Sequence, residues 1–586
     1  MSSVQVLSGN GISPSAVSSA PATANWMIWD WCFVVALLVI GPVLYFPYAT
    51  HNLPVVSHVD ERTSLAVLER FHDGSLDPQF FMYPTLYYYV TYFLTAAFPF
   101  SKILFYGRLL NLSFVGLTAA ITYRFCQRHL GARAIGVIAA LCVATSVTLT
   151  NSAAYLCTDV LLTATTLGCL FYLVEFFHYH RRRDWVLAML TLGCAVSCKY
   201  TAFVVYIAYF ITEILYRITN RSDEVGHDPF LAAKVPRKFI VCTLMGAAAI
   251  ALLVALAFPT RAAITFIAAT RTNPDLKNPA EYLDFFHHIR LLLAKIAIVS
   301  VIGALVIGRF KSIYEWIAPR RIYYGLGLVV VVCALCTPYS MITPRRFVYD
   351  LGALARTNII VVSNHAQWRD YISWLVHTEN DLILALSVIG LVIWALRRQA
   401  QFVVIAVYLL VFSFIIGSAH IGFDRYLDPL LPLIYCGAGI SLMYLWSQKA
   451  AKVAVLAKGL TIVLCVIALM QLRTGIVAAR EHGRTTDSNY ASYQAIVSLS
   501  PRSVVFAGEA PSVELERAGI TTKQISWAEL GQKPLSGQIG CDQALVFDKA
   551  GVVRNQLTLQ QDPLVVSVLD DPRGYGQQVF KRSDCK

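Results

Sequence analysis

The sequence predicts an all-α polytopic membrane protein, with about thirteen spanning helices and a small external α/β domain at its C-terminal end. Three observations predict this. Of the 586 residues, 57% are hydrophobic and only 14% charged, against about 25% charged in a soluble chain. Apolar stretches of bilayer length, about 17–25 residues as helix, recur between residues 27 and 472. From residue 475 onward the composition becomes that of a soluble protein. The same figures exclude intrinsic disorder, collagen, coiled coil and a small disulfide scaffold.

The elements follow in order. Residues 1–25 are rich in Ser, Ala and Gly, carry no charge and lack a basic-flanked leader, so they read as a flexible cytoplasmic tail. Apolar stretches then centre on 27–47, 84–99, 104–123, 134–150, 159–177, 185–198, 201–216, 238–258, 289–308, 322–340, 382–396, 401–418, 426–446 and 457–472. Lys and Arg set their orientation. The connections 124–133, 178–184, 217–238, 309–321, 397–400 and 447–458 hold 20 Lys/Arg against 5 Asp/Glu. The others, 48–83, 151–158, 198–200, 259–287, 341–381 and 419–425, hold 11 against 13. The basic set belongs to the cytoplasm. The net charge of +13 is therefore topological, and no nucleic-acid partner is expected.

This alternation holds only if one of 84–99 and 104–123 fails to cross. Tyr83-Pro84-Thr85-Leu86-Tyr87-Tyr88-Tyr89 is loaded with an interfacial residue, and the stretch ends at Phe98-Pro99-Phe100. It reads as a surface helix. The first external loop is then 48–103, with a further helix over Asp60–Phe71, Ser57 as its N-cap and Gly74 past its end. The membrane domain runs over 26–474 and the external domain over 475–586. In the latter, 503–509, 544–548 and 563–569 read as strands and 513–518 as a helix. Twelve of the fourteen cysteines lie in or at spans, as small apolar residues; Cys541 and Cys585 lie in the external domain, where an oxidising compartment would let them pair.

Ionisable residues at the predicted outer face are the candidates for chemistry. His58-Val59-Asp60-Glu61-Arg62 is a dense cluster; its acids also suit a helix N-terminus. Asp159 opens a span, where an ionisable group is functional by default, although it would equally serve a helix start. Lys199 is the only charge between Asp184 and Glu213, a phosphate contact or a snorkelling anchor. Arg425 opens a late span beside Asp424; the open readings are phosphate binding and a rim ion pair. Arg108 is a cation inside a span and needs a partner, Asp60 or Asp159. The loop 341–381 carries Arg345, Arg346, Arg356, His365, Trp368, Arg369, Tyr371 and His377, as donor contacts or interface anchors.

The order of these motifs resembles the GT-C-type integral-membrane glycosyltransferases, in the branch of the protein O-mannosyltransferases and lipid A aminoarabinose transferases. The residues that carry it are Asp60-Glu61 after the first span, Pro84-Thr85-Leu86-Tyr87-Tyr88, Tyr106-Gly107-Arg108-Leu109-Leu110, Thr158-Asp159-Val160, Ser197-Cys198-Lys199-Tyr200-Thr201 and Arg425-Tyr426-Leu427-Asp428-Pro429-Leu430-Leu431-Pro432. The resemblance implies a GT-C-like fold with thirteen or fewer spans and surface helices in the first external loop. It implies transfer of a sugar from a polyprenyl-phosphate to a lipid, glycan or protein acceptor, with inversion. Asp60 would be the base, with Glu61 beside it and Asp159 as the second acid. Lys199, Arg425, Tyr426, Arg346, Arg369 and Tyr83 would hold the donor, with His58, Arg62 and Arg108 in support. No cofactor is implied beyond a divalent cation that Asp60 and Asp159 would share as oxygen ligands. Short loops, and no Asn-x-Ser/Thr site in the predicted external parts, point to the bacterial cytoplasmic membrane. The competing reading is a secondary transporter, which predicts internal repeats with broken spans in matching halves; none is visible.

Overall fold

The computed structural model describes residues 27–56, 58–130, 133–219, 230, 233–257, 279–344, 346–347, 350–351, 368–379, 381–396, 400–417, 424–446, 451–484, 488–507, 512–526, 530, 534–548, 552, 562, 564–570 and 577–584. Every segment predicted to cross is helical, as hydrocarbon demands of a backbone that has no water to bond. By length and composition, five described helices suffice alone: Phe100–His129, Asp159–Tyr179, Tyr200–Ile218, Arg237–Leu256 and Lys458–Glu481. Three more apolar stretches are bent pairs, among them Arg133–Ala144 with Val147–Ala153 at 52°. Ile28–Leu44, Val403–Gly417 and Leu431–Trp446 are shorter apolar helices. The predicted N-terminal tail lies outside the described residues.

The Tyr-rich segment is a helix of ten residues, Leu86–Thr95. At 1.5 Å per residue it reaches only about 15 Å, half a bilayer core. Its Tyr87, Tyr88, Thr91 and Thr95 are buried against the body, because a helix on a surface buries one face. The Val59–His72 helix precedes it. Ser57, the expected N-cap, lies outside the described residues. His58 takes that place, its side chain accepting from the Asp60 N–H. Leu65, Leu68 and Phe71 of this helix are buried as expected.

The first crossing helix, Ile28–Leu44, packs on Ile103–Leu130 through glycine. A Cβ on Gly41 or Gly116 would collide with the backbone of Leu112 or Leu37. Close approach of this kind is how helices gain contact where lipid supplies no hydrophobic drive. It also brings residues 45–61 beside Arg108.

The described parts of the basic connections 124–133, 217–238 and 309–321 carry ion pairs at one end of the bundle, the basic end. There Arg128 pairs with Glu175 at 3.0 Å, Lys234 with Glu315 at 2.6 Å, and Arg321 with Glu213 at 2.6 Å. Asp60, Asp159 and Arg425 meet at the start of the Asp159–Tyr179 helix, the loop end, away from Glu175 and Phe176 near its other end.

The Ala451–Arg484 helix runs unbroken through the predicted boundary at 474/475. The C-terminal part is a five-stranded sheet of β1 Ser503–Ala507, β2 Thr521–Gln524, β3 Gln543–Asp548, β4 Val565–Asp570 and β5 Gln577–Arg582, in the order β2-β1-β3-β5-β4. β1 lies parallel to β2 and β3, and β5 antiparallel to β3 and β4. Successive side chains face opposite ways. Val504, Phe506 and Val546 pack on one face with Ile496, and Val505, Leu545 and Phe547 on the other. β2 and β5 carry mostly polar residues, so their sequences showed no strand alternation. Cys541 is disulfide-bonded; Cys585 lies outside the described residues. Cys333 and Cys336, spaced as CxxC, are free.

This sheet domain rests on the first loop. Arg517 pairs with Glu69 at 2.6 Å and lies over the Phe100 ring at 4.9 Å. Between them is a crevice of about 240 Å³, lined by Pro54, Leu65, Phe100, Leu104, Tyr493 and Arg517 among others.

Candidate active site

Four charged side chains from four segments meet at the loop end. Each is placed by a break in helix. Asp60 sits in the first turn of Val59–His72. Asp159 opens the Asp159–Tyr179 helix, with no side-chain bond from Thr158 capping it. Lys199 is an extended residue between Arg182–Val196 and the short turn Tyr200–Ala202. Arg425 and Tyr426 lie in the 3-10 turn Asp424–Leu427. Pro429 disfavours helix at the residue before it, so the Leu431–Trp446 helix starts late and the turn stays open.

The charges alternate along a chain. Arg425 Nη2 reaches Asp60 Oδ2 at 2.7 Å, and Arg425 Nε lies 3.8 Å from Asp159 Oδ2. Asp159 Oδ1 accepts from Lys199 Nζ at 2.6 Å. The ammonium sits 4.7 Å from the Tyr426 ring centre and 5.7 Å from that of Tyr83, within reach of a cation–π attraction. Side-chain exposure rises from 5% at Asp159 and 11% at Lys199 to 21% at Asp60, so the cluster opens towards Asp60.

Burial alone would push the Lys199 proton off, but Asp159, then Tyr426 and Tyr83, hold its pKa above the ordinary value. Arg425 is likewise held up, against burial, by Asp159 and Asp60. Burial pushes the Tyr83 hydroxyl up to about 12. His58 stacks near Tyr155 with ring centres 5.0 Å apart. Its Nε2 faces Arg425 Nη1 at 3.5 Å. Burial, then the Arg425 guanidinium, lower its pKa, so the ring is neutral at pH 7.

Two predicted residues do other work. Glu61, expected beside Asp60 in the chemistry, is taken up wholly by Arg108. Nε and Nη2 donate to its two oxygens at 2.7 Å each, and both side chains are at most 1% exposed. Glu61 Oε1 also accepts from Leu156 N–H at 3.1 Å, and Arg108 donates to the His51 carbonyl at 2.6 Å. The partner of Arg108 is thus Glu61, not Asp60 or Asp159. Adjacent residues on a helix point about 100° apart, which sends the two acids to different neighbours.

The remaining predicted residues stand outside the cluster. Arg62 is half-buried and forms no ion pair among the described residues. Arg346 pairs with Asp350 at 3.2 Å. Arg369 is exposed on Trp368–Thr378. Tyr371 is buried, and His377 is bonded to the Ser373 carbonyl. Arg345, Arg356 and His365 lie outside the described residues. A divalent cation shared by Asp60 and Asp159 does not fit this arrangement. Their oxygens already face two cations, and among the described residues no group of three His, Cys, Asp or Glu side chains could hold a metal.

Sequence reasoning missed Asp428. It is fully buried, and among the described residues neither carboxyl oxygen has a hydrogen-bond partner. The Ser152 hydroxyl beside it donates to the Thr148 carbonyl at 3.1 Å. An acid inside Leu-Asp-Pro-Leu-Leu-Pro was the available signal.

The described residues thus form a largely helical body of apolar helices with a mixed-charge cluster of two acids and two cations at one mouth. Residues 83–234 match the family described as dolichyl-phosphate-mannose-protein mannosyltransferase, a stretch that includes Tyr83, Arg108, Asp159 and Lys199 and stops short of Arg425. The match spans 152 of the 586 residues and makes that stretch similar to the family. The chain is also similar to two crystal structures of ArnT from Cupriavidus metallidurans. The one bound to undecaprenyl phosphate has 12% identity and a TM-score of 0.49, covering 94% of this chain and 98% of that one. The apo state has 13% identity with the same TM-score and coverage. No curated protein matches the chain.

Proposed function

We propose that the protein moves a sugar, with inversion, from its polyprenyl-phosphate carrier to a lipid, glycan or protein acceptor at the outer face of a bacterial cytoplasmic membrane. The carrying observation is the alternating row Asp60–Arg425–Asp159–Lys199, with two cations shared between two acids and graded exposure. Cations held this way can turn to an incoming phosphate, and Asp159 then keeps them in place. The arginine suits a phosphate because it can bind two oxygens at once.

Asp60 is the base. The acceptor hydroxyl gives its proton to an Asp60 oxygen as its own oxygen bonds to the anomeric carbon. The bond from that carbon to the phosphate oxygen breaks, and the electron pair stays on the phosphate. Lys199 and Arg425 meet the charge that grows there. Arg425 leaving Asp60 for the phosphate frees the oxygen that receives the proton. Tyr83 and Tyr426 flank the ammonium and exclude water, which would hydrolyse the donor. Glu61 and Arg108 hold the start of the Val59–His72 helix against the body and so position Asp60. The outward orientation rests on the charge of the connections.

Purified wild type should transfer sugar from a polyprenyl-phosphate donor, and Asp60→Asn should not, although it still binds the donor. Transfer by Asp60→Asn at the wild-type rate would remove Asp60 as the base.

A further inference from the structure

Tyr83 and Lys199 come from separate segments, and their facing position must be held by something. Phe81, two residues before Tyr83, is gripped at both of its backbone polar groups. Its N–H donates to Asp350 Oδ2 at 2.8 Å. Its carbonyl accepts from the Tyr200 hydroxyl at 3.0 Å, and Tyr200 directly follows Lys199. The Phe81 ring is fully buried and meets Phe347 edge-on at 5.8 Å. The backbone of one residue thus links the Tyr83 segment, the Lys199 turn and the stretch after Ile342.

Asp350 is only 4% exposed, and burial raises its pKa. A carboxylate in such a place is costly unless it is paired and bonded. Both conditions are met: Phe81 N–H supplies the bond, and Arg346 Nε lies 3.2 Å from Oδ1. An orphaned backbone N–H there would also be costly, so the 80–85 segment depends on this acceptor.

We propose that Asp350 is a positioning residue for the lipid-phosphate donor: through Phe81 it fixes Tyr83 against Lys199, so that ring and ammonium close on the same phosphate. This role rests on the donor-site reading above. Asp350 touches no reacting atom, and its loss should weaken donor binding while sparing the chemical step.

The test measures binding of a polyprenyl phosphate in detergent, together with donor KM and kcat. Asp350→Leu should raise Kd and KM about tenfold, the scale of one lost buried hydrogen bond, with kcat at saturating donor within about twofold of wild type. Asp350→Asn keeps an oxygen for Phe81 N–H and should bind within about twofold of wild type. Tyr200→Phe, which frees the Phe81 carbonyl with almost no change in volume, should also weaken binding; it serves if the leucine variant does not fold. Lys199→Met is the control for the donor site itself. Binding that is lost in Lys199→Met and unchanged in Asp350→Leu and Tyr200→Phe overturns the positioning role alone. An asparagine variant that binds no better than the leucine variant overturns the hydrogen bond as the means. Unchanged binding in all of them overturns the donor-site reading and this role with it.

Discussion

Two sets of buried charges sit at opposite ends of the helical body, and they are built differently. At the basic end Glu213 and Arg321 form a closed pair. Both Arg321 Nε and Nη2 donate to Glu213, at 2.7 and 2.6 Å, the side chains are at most 2% exposed, and Phe176 lies 5.7 Å from the guanidinium. At the loop end Arg425 is stretched between Asp60 at 2.7 Å and Asp159 at 3.8 Å, and Lys199 completes the row. The first pair turns both of these N–H groups to one carboxylate. The second spreads two cations over two acids, with one link long, and opens to solvent at Asp60. A closed pair pins helices together. An open row can exchange one anion for another, as a phosphate-handling site needs. Glu61 and Arg108 lie within a few residues of the open row yet belong to the closed kind. Location alone therefore does not separate the two kinds; whether a guanidinium faces one carboxylate or two does.

That contrast can be broken at either end. The largest effect is expected at Asp60. Asp60→Asn should lower kcat about 10³-fold, in the range for loss of a general base and worth about 4 kcal/mol, with the thermal midpoint in detergent unchanged. At the closed pair the pattern should invert. Arg321→Met leaves Glu213 buried and unpaired, and should cost about 3 kcal/mol of stability. Adding Glu213→Leu should restore most of it, because two apolar residues replace a buried pair at little cost. A double variant no more stable than the single one would mean the pair is not closed. A smaller effect is expected for Arg425→Lys. Lysine is a point charge without the planar fork, so donor Kd should rise about tenfold, the discrimination of one charge-assisted bond. The smallest effect is a pH dependence. The folded pKa of His58 lies below 6.5, mainly through burial and then Arg425. As pH falls below 6.5 the unfolded chain takes a proton that the folded chain refuses, so this contribution is present above about pH 6.5. It is lost as pH falls towards the folded value. His58→Asn keeps an N-cap acceptor for Asp60 N–H and should lose less thermal stability than wild type between pH 7 and 5.5.

Much of the architecture was legible because its signals are local. Span length, the Lys/Arg bias and the short Tyr-rich helix each follow from a window of residues, and the structure has helices wherever crossings were expected. The candidate site was legible as a set of ionisable residues in an apolar chain: Asp159 and Lys199 stand alone in sequence, Asp60 lies in a dense cluster and Arg425 beside Asp424, and the four meet in space. The pairing was not. Glu61 looked like a second catalytic acid because it adjoins Asp60, and Arg108 looked like a partner for Asp60 or Asp159. Which carboxylate faces which guanidinium depends on helix phase, and on how closely the Gly41/Gly116 crossing brings residues 45–61 to Arg108. Arg346 and Arg369 shared residue type with phosphate binders, but their loop delivers one to Asp350 and leaves the other exposed. Asp428 hid in an apolar run, and β2 and β5 hid because polar edge strands carry no alternation.

The sequence by itself determined the membrane class and the supply of charges, since both depend on composition along the chain and on the cost of moving charge into hydrocarbon. Only the tertiary structure decided which charges cancel in closed pairs and which remain in an open row. The physical reason is that an ion pair is a contact over a few ångströms between segments far apart in the chain, 365 positions for Asp60 and Arg425, and no local pattern encodes that distance.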